Sequence, residues 1–200
     1  MSKKNYLSFL FIFGLLLFIN RHSDAQSKVL SNGSTAPMFT GKASLAGSEF
    51  DFSLKKALAK GPVVLYFYPA AYTGGCDLEA HTFAEFKDKF TAAGATIIGV
   101  SADDIQRLRS FSSNPDYCAG KFAVASDPGG KIAATYGLEL TPPQPGAKDV
   151  TGQQVTHGFI PRTTFIIDKN DKIVAVFSSK TDHISPAEHV KKSLEIVSNL

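Results

Sequence analysis

Cysteine is scarce in this chain of 200 residues, and its scarcity excludes several kinds of chemistry. The two cysteines, Cys76 and Cys118, lie 42 positions apart, so the Cys-x-x-Cys pair of thiol–disulfide oxidoreductases is absent. Three histidines, His157, His183 and His189, are not spaced with these cysteines as zinc ligands are. The glycine pair near position 130 is not followed by Lys-Ser or Lys-Thr, which excludes a P-loop there. No metal or organic cofactor is implied.

The N-terminus carries a long apolar run with the layout of a signal peptide. Two lysines precede the uncharged run 7–19, and Ser23-Asp24-Ala25 has small residues at the two positions that a signal peptidase reads. The run is shorter than the roughly 20 residues that a helix needs to span a bilayer. We therefore predict a secretory signal peptide over residues 1–25, with an uncleaved membrane anchor as the alternative. The mature chain, 26–200, would be one periplasmic or secreted domain that no longer contacts the membrane.

A large net charge is also lacking. The whole chain has 21 basic and 18 acidic residues, a net charge of +3. Cleavage after residue 25 would remove three basic residues and one acidic residue, leaving 18 and 17. This near balance excludes the basic surface expected of a protein that binds nucleic acid or anionic membranes. The apolar share of 44% is ordinary for a globular protein, and no internal repeat is present.

Strand and helix patterns alternate along the rest of the chain. Strand patterns occur at 42–45, 49–52, 63–68, 95–100, 122–125, 163–167 and 173–177. Helix patterns occur at 76–91, 104–111, 131–136 and from Ser185 onward, with an irregular loop at 139–161. The first two strands form a hairpin and the last two form another. This order predicts an α/β fold with parallel crossovers and antiparallel strands added at the sheet edge.

Cys76 follows the most apolar strand of the chain. Val63–Tyr68 is a continuous β-branched and aromatic run, typical of a strand buried on both faces. Pro69 ends this strand, and a helix pattern begins near Cys76. A thiol in the first helical turn faces free N–H groups and a partial positive charge, which favour the thiolate. We therefore expect a lowered pKa and a nucleophilic role for Cys76.

The residues around Cys76 also carry a family resemblance. Pro69, Thr73 and Cys76 have the spacing of the active-site signature of peroxiredoxins, in the run YFYPAAYTGGCDLEAHTFAEF. The likeness continues through ATIIGVSADD, KFAVASDPGGKIAATYG and RTTFIIDKNDKIV, so it covers the chain from about Pro37 to Leu200. The chain resembles AhpC/TSA-like thiol peroxidases, most closely the branch that includes bacterioferritin comigratory protein. The resemblance implies a thioredoxin-like fold, with a central mixed sheet flanked by helices and an N-terminal hairpin extension.

The resemblance implies a role for each matching residue. Cys76 would attack hydrogen peroxide, and organic hydroperoxides are further candidate substrates. Thr73 would hydrogen-bond the peroxide and the thiolate, Arg162 would favour the thiolate and polarise the peroxide, and Pro69 would shield the site from water. Glu79 matches an acidic residue of this branch. Simpler alternatives are a helix N-cap for Thr73, a surface charge for Arg162 and a first-turn carboxylate for Glu79.

Resolution of the oxidised thiol departs from the pattern of this branch. Many relatives carry a second cysteine five residues after the first, where this chain has His81. Cys118 is the remaining thiol, and we predict that it forms an intramolecular disulfide with oxidised Cys76. The resemblance implies a thioredoxin-like dithiol as reductant and favours a monomer. His81 is a candidate for polarising the site, although a helical histidine is more often structural or solvent-facing.

Two other functions remain open on the sequence. A thiol–disulfide oxidoreductase could share this fold, but Thr73 stands where its first cysteine would be. A non-catalytic exported domain with a structural Cys76–Cys118 disulfide is the second alternative.

Overall fold

The structure, a computed structural model, describes residues 28–200. The strands are β1 (Thr40–Leu45), β2 (Ser48–Ser53), β3 (Val63–Phe67), β4 (Thr96–Ser101), β5 (Ala123–Ser126), β6 (Thr163–Ile167) and β7 (Ile173–Ser178). The helices are α1 (Leu54–Leu58), α2 (Gly74–Ala92), α3 (Ile105–Ser113), α4 (Lys131–Thr135), α5 (Ser179–Asp182) and α6 (Pro186–Val197). The strands form one mixed sheet in the order β2-β1-β5-β4-β3-β6-β7. The predicted α/β thioredoxin-like fold is confirmed.

Strand β3 lies inside the sheet and is buried along its whole length. It pairs in parallel with β4 and antiparallel with β6. Alternate side chains of β3 enter two cores, with Val64 and Tyr66 on one face and Leu65 and Phe67 on the other. The first core, which we call the thiol-side core, also contains Cys76 and residues of α2, α3 and α6. A continuous apolar run therefore forms this strand because both faces are covered.

The two hairpins meet the sheet at different places. The N-terminal hairpin β1–β2 forms one edge and joins the parallel strands through antiparallel pairing of β1 with β5. In the C-terminal hairpin, β7 is the edge strand, whereas β6 lies between β3 and β7. The expectation that both closing strands lie at the edge is therefore wrong for β6. All five residues of β6 are buried, because its alternate side chains enter the two cores, with Phe165 and Ile167 on one face and Ile166 on the other.

The last helix has the N-terminal signals that the sequence indicates. Ser185 accepts a hydrogen bond from Glu188 N, the Glu188 carboxylate accepts one from Ser185 N, and Pro186 lies in the first turn. The short helices α1 and α5 were not predicted, since segments of five and four residues are too short to show a helical period.

The predicted signal peptide lies outside the described residues. Within 28–200, the structure has no helix that is both long enough and apolar enough to cross a membrane.

Candidate active site

The turn between β3 and α2 places Cys76 in the first turn of a long helix, at the carboxyl end of a central strand. Thr73 is at the N-cap position, and its carbonyl oxygen accepts hydrogen bonds from Cys76 N at 2.7 Å and Asp77 N at 3.0 Å. Its hydroxyl makes no capping bond to the helix and donates instead to the Ala70 carbonyl oxygen at 2.7 Å. The side chain of Thr73 therefore faces back into the turn. Pro69, half-buried, begins this turn.

Arg162 brings a positive charge to Cys76 from a distant part of the sequence. It immediately precedes β6, and its Nη2 lies 3.1 Å from Cys76 Sγ. Its Nη1 donates to Glu79 Oε2, so one guanidinium contacts both the thiol and a buried carboxylate. A Cβ atom on Gly75 would lie 3.3 Å from Arg162 Nη2. The small residue before Cys76 thus leaves room for the guanidinium, whose side chain is only 10% exposed.

Burial dominates the ionisation of Cys76. It raises the pKa of the thiol above its ordinary value, because a buried thiolate loses its hydration. Arg162, the Ala70 backbone and the Thr73 side chain lower the pKa, whereas the Glu79 carboxylate raises it further. The lowered pKa expected from the helix N-terminus is therefore wrong for this closed geometry. Three groups stabilise the thiolate, but desolvation outweighs them.

Glu79 and Arg162 form a buried pair beside the thiol. Burial raises the pKa of Glu79 to about 7, against the lowering effect of Arg162. The second carboxyl oxygen, Oε1, is buried with no hydrogen-bond partner in the part of the chain that the structure describes. Burial lowers the pKa of Arg162, but Glu79 and Cys76 raise it further than burial lowers it. Arg162 therefore stays a cation, and Glu79 binds its Nη1 while Nη2 contacts the sulfur.

The chain matches the model of a known protein family. The model described as "AhpC/TSA family" matches residues 32–176. The chain belongs to the AhpC/TSA family. It is a peroxiredoxin, a thiol peroxidase, and the resemblance seen in the sequence is confirmed.

Named relatives agree with this assignment. Peroxiredoxin Q, chloroplastic, of Triticum aestivum is 31% identical over 173 residues, which cover 86% of this chain and 68% of that protein. A putative peroxiredoxin of Mycobacterium tuberculosis is 32% identical over 141 residues, covering 70% of this chain and 80% of that protein.

Solved structures support the fold of this peroxiredoxin. The crystal structure of peroxidoxin BcpB from Mycobacterium tuberculosis has a TM-score of 0.69 at 28% identity, covering 86% of this chain and 98% of that chain. Xanthomonas campestris peroxiredoxin Q has a TM-score of 0.59 at 25% identity, covering 79% of this chain and 89% of that chain.

The second cysteine of this peroxiredoxin lies in the turn after α3. Both Cys76 and Cys118 are free and buried, and both belong to the thiol-side core. Burial raises the pKa of Cys118 well above its ordinary value, and Asp77 adds to the rise. Cys118 is therefore held as a neutral thiol in this conformation.

His81 does not reach the thiol. Its side chain is 47% exposed, and Nε2 lies 3.8 Å from Glu85 Oε1 on the same helix. Its Nδ1 is 3.1 Å from the Asp116 carbonyl oxygen, in the turn that carries Cys118. The expectation that His81 polarises the site is therefore not met, because the side chain lies on the outer face of α2.

A buried ionic group beside the Cys76 turn was not predicted from sequence patterns. Asp103 and Asp104 both precede α3, and Asp104 is its N-cap, accepting a hydrogen bond from Arg107 N at 2.7 Å. Asp103 is fully buried and pairs with Arg107 and His157. The only local signal is the spacing of four residues between Asp103 and Arg107.

Across residues 28–200, acidic, cysteine and histidine side chains form no group of three placed to hold a metal ion.

Proposed function

We propose that this peroxiredoxin is an exported peroxidase in which Cys76 is the peroxidatic residue. The observation that carries the proposal is the 3.1 Å contact between Arg162 Nη2 and Cys76 Sγ at the start of a helix. A cation at this sulfur and the partial positive charge of a helix N-terminus favour a thiolate and stabilise negative charge that develops on a bound peroxide. Hydrogen peroxide is the proposed substrate, with organic hydroperoxides as further candidates.

The peroxide step forms one S–O bond and breaks one O–O bond. The Cys76 thiolate attacks one peroxide oxygen and becomes a sulfenic acid. The other oxygen takes a proton and leaves as water, or as an alcohol when the substrate is organic. Arg162 would stabilise the charge shared by the two oxygens, and Thr73 would orient the peroxide. Glu79 would hold Arg162, and Pro69 would restrict water at the entrance to the turn.

The resolving step would use Cys118. Its sulfur attacks the Cys76 sulfenic sulfur, a disulfide forms, and the sulfenic oxygen leaves as water after taking a proton. Cys118 is the other thiol of the chain, and both sulfurs lie in the thiol-side core. Because both are buried, the first turn of α2 would have to open locally for the sulfurs to meet. A thioredoxin-like dithiol would then reduce the disulfide and become oxidised itself.

The proposed cellular location rests on the N-terminal sequence. Residues 1–25 have the pattern of a signal peptide, so we propose cleavage after Ala25 and a periplasmic or secreted monomer. Mass spectrometry of the exported protein should find a chain that begins at Gln26. A chain that still begins at Met1 would contradict the proposal.

The roles of the two thiols can be separated by stopped-flow measurements on the reduced protein. Wild type should consume about one peroxide per chain in a fast phase and lose both thiols. Cys76→Ser should lose the fast phase, whereas Cys118→Ser should keep it but stop turnover with a thioredoxin-like reductant. Unchanged turnover in Cys118→Ser would remove its resolving role. Consumption no faster than that of free cysteine would remove the role of Cys76 and favour a non-catalytic domain.

A further inference from the structure

One residue in the Cys76 turn, Ala71, has both of its backbone polar groups hydrogen-bonded to a buried ion pair. Asp103 Oδ2 accepts a hydrogen bond from Ala71 N at 2.8 Å. Arg107 Nη2 donates to the Ala71 carbonyl oxygen at 3.0 Å. The Asp103 side chain is fully buried, and that of Arg107 is 14% exposed. The position of Ala71, two residues before Thr73, is therefore set by charged groups from the start of α3.

The carboxylate itself is fixed by its other neighbours. Arg107 Nε lies 2.9 Å from Asp103 Oδ1, and His157 Nε2 lies 3.0 Å from the same oxygen. The Ser101 hydroxyl donates to Oδ2 at 2.7 Å. Asp103 thus has partners on both oxygens, and a group held in this way can act as a rigid support.

Arg107 also joins the turn to the long loop after α4. Its Nη2 contacts Asp149 Oδ2 at 2.5 Å, and its Nη1 donates to Gln153 Oε1 at 2.9 Å. Val150 N of the same loop donates to the Tyr72 carbonyl oxygen at 2.9 Å. The loop therefore bonds the backbone of Tyr72, and Arg107 bonds that of the preceding residue, Ala71.

Tyr72 connects this support to the segment that carries Cys118. Its backbone is in the left-handed region, with φ of 59°, which is uncommon for a residue other than glycine. Its ring lies 4.8 Å from the Arg107 guanidinium carbon and 5.2 Å from the rings of Phe111 and Tyr117. Tyr117 is the residue before Cys118. The aromatic contacts therefore hold the turn of one thiol against the turn of the other.

We infer that Asp103 and Arg107 are positioning residues for the peroxide reaction. They hold the Ala71–Tyr72 segment so that Cys76, in the helical turn that follows, keeps its contact with Arg162, and they touch neither sulfur nor peroxide. The same contacts oppose the local opening that a disulfide with Cys118 needs, a consequence that rests on the proposed resolving role. Weakening the pair should therefore slow the peroxide step and speed disulfide formation.

Arg107 offers the sharper test, because a matched control lies on the same helix. Arg107→Met removes the hydrogen bond to the Ala71 carbonyl oxygen, and Arg107→Lys keeps the charge but loses the planar guanidinium. Arg109→Met is the control, since the Arg109 side chain is exposed, donates to Gly47 O at 3.1 Å and lies 3.6 Å from Glu49 Oε1 on the surface. Each variant is made with Cys118 present and with Cys118→Ser. Stopped flow gives the rate constant for hydrogen peroxide, and rapid quenching with thiol counting gives the rate of disulfide formation.

With Cys118→Ser, the peroxide rate constant should fall about tenfold or more in Arg107→Met, since small misplacements of reacting groups are costly. Arg107→Lys should recover part of the loss, and Arg109→Met should equal its parent. With Cys118 present, Arg107→Met should form the disulfide several-fold faster once Cys76 is oxidised.

Equal peroxide rate constants in Arg107→Met and Arg109→Met would overturn the inference, as would a fall in both steps by the same factor. If Arg107→Met does not fold, Arg107→Lys must show the opposite changes in the two rates, and its failure to do so also overturns the inference. Absence of any disulfide in the wild type would remove the resolving role of Cys118. The peroxide rate constants measured in the Cys118→Ser background would still decide whether Arg107 positions the turn.

Discussion

Lowering the pH should destabilise this peroxiredoxin through one buried histidine close to Arg162. His189 lies in α6 with a fully buried side chain, and its Nδ1 is 2.9 Å from Thr164 Oγ1. Its Nε2 is 3.0 Å from Ser179 Oγ, and Ser179 N donates to the Arg162 carbonyl oxygen at 3.3 Å. Burial, with a smaller effect from Arg162, lowers the pKa of His189 from 6.5 to about 4. Asp182 and Glu188 oppose the shift but do not reverse it.

The size and sign of the effect follow from that shift. Because the folded pKa lies below the unfolded one, the neutral imidazole stabilises the fold above pH 6.5, and this contribution is lost as the pH falls towards 4. The full loss is about 3 kcal/mol at 1.36 kcal/mol per pH unit. Between pH 7 and pH 5 the free energy of unfolding should fall by about 2 kcal/mol from this group alone.

Urea unfolding of wild type and His189→Gln between pH 7 and pH 5 measures that difference. The wild type should lose about 2 kcal/mol more than the variant over this range. His183→Gln, at an exposed histidine in the same region, is the control and should follow the wild type. Parallel curves for wild type and His189→Gln would refute the reasoning, and so would an NMR titration in which His189 takes up its proton near pH 6.5.

Two further predictions concern the ends of helices. Gly75→Ala should lower the peroxide rate constant about tenfold, because its Cβ would meet Arg162 Nη2 at 3.3 Å. Gly74→Ala, whose Cβ would have nothing within 4 Å, should leave the rate constant unchanged, and an equal loss in both would contradict the crowding argument. Ser185→Ala should lower the free energy of unfolding by about 1 kcal/mol in urea, through loss of the capping box with Glu188. An unchanged midpoint would show that the box contributes nothing.

Local patterns predicted the part of the site that is local in sequence. The apolar strand, the proline after it and the helix pattern beyond placed Cys76 in a first helical turn, where the structure has it. Arg162 came from a resemblance and not from spacing, since 86 positions separate it from Cys76. Burial of the thiol depends on tertiary packing, so the direction of its pKa shift could not be predicted from a helix terminus alone.

The positioning residues Asp103 and Arg107 could not be predicted from the sequence. Asp103 and Asp104 are adjacent and look equally suited to cap α3. They differ because Asp103 meets Ala71, 32 positions earlier, and only the folded chain brings these residues together. Tyr72 likewise gives no sign in the sequence that its backbone is left-handed, since that conformation is imposed by its surroundings.

The pairing of β6 with β3 has a consequence for the newly made chain. Phe67 pairs with Thr163 and Tyr66 with Thr164, so Arg162 reaches Cys76 only when β6 is docked. A nascent chain that has folded only as far as β5 would hold Cys76 without its cation. Such a chain would present an ordinary, slowly reacting cysteine, and the fast chemistry of the thiol would wait for synthesis and docking of the C-terminal hairpin. The order of the strands would therefore delay the peroxide reaction until the C-terminal hairpin is in place.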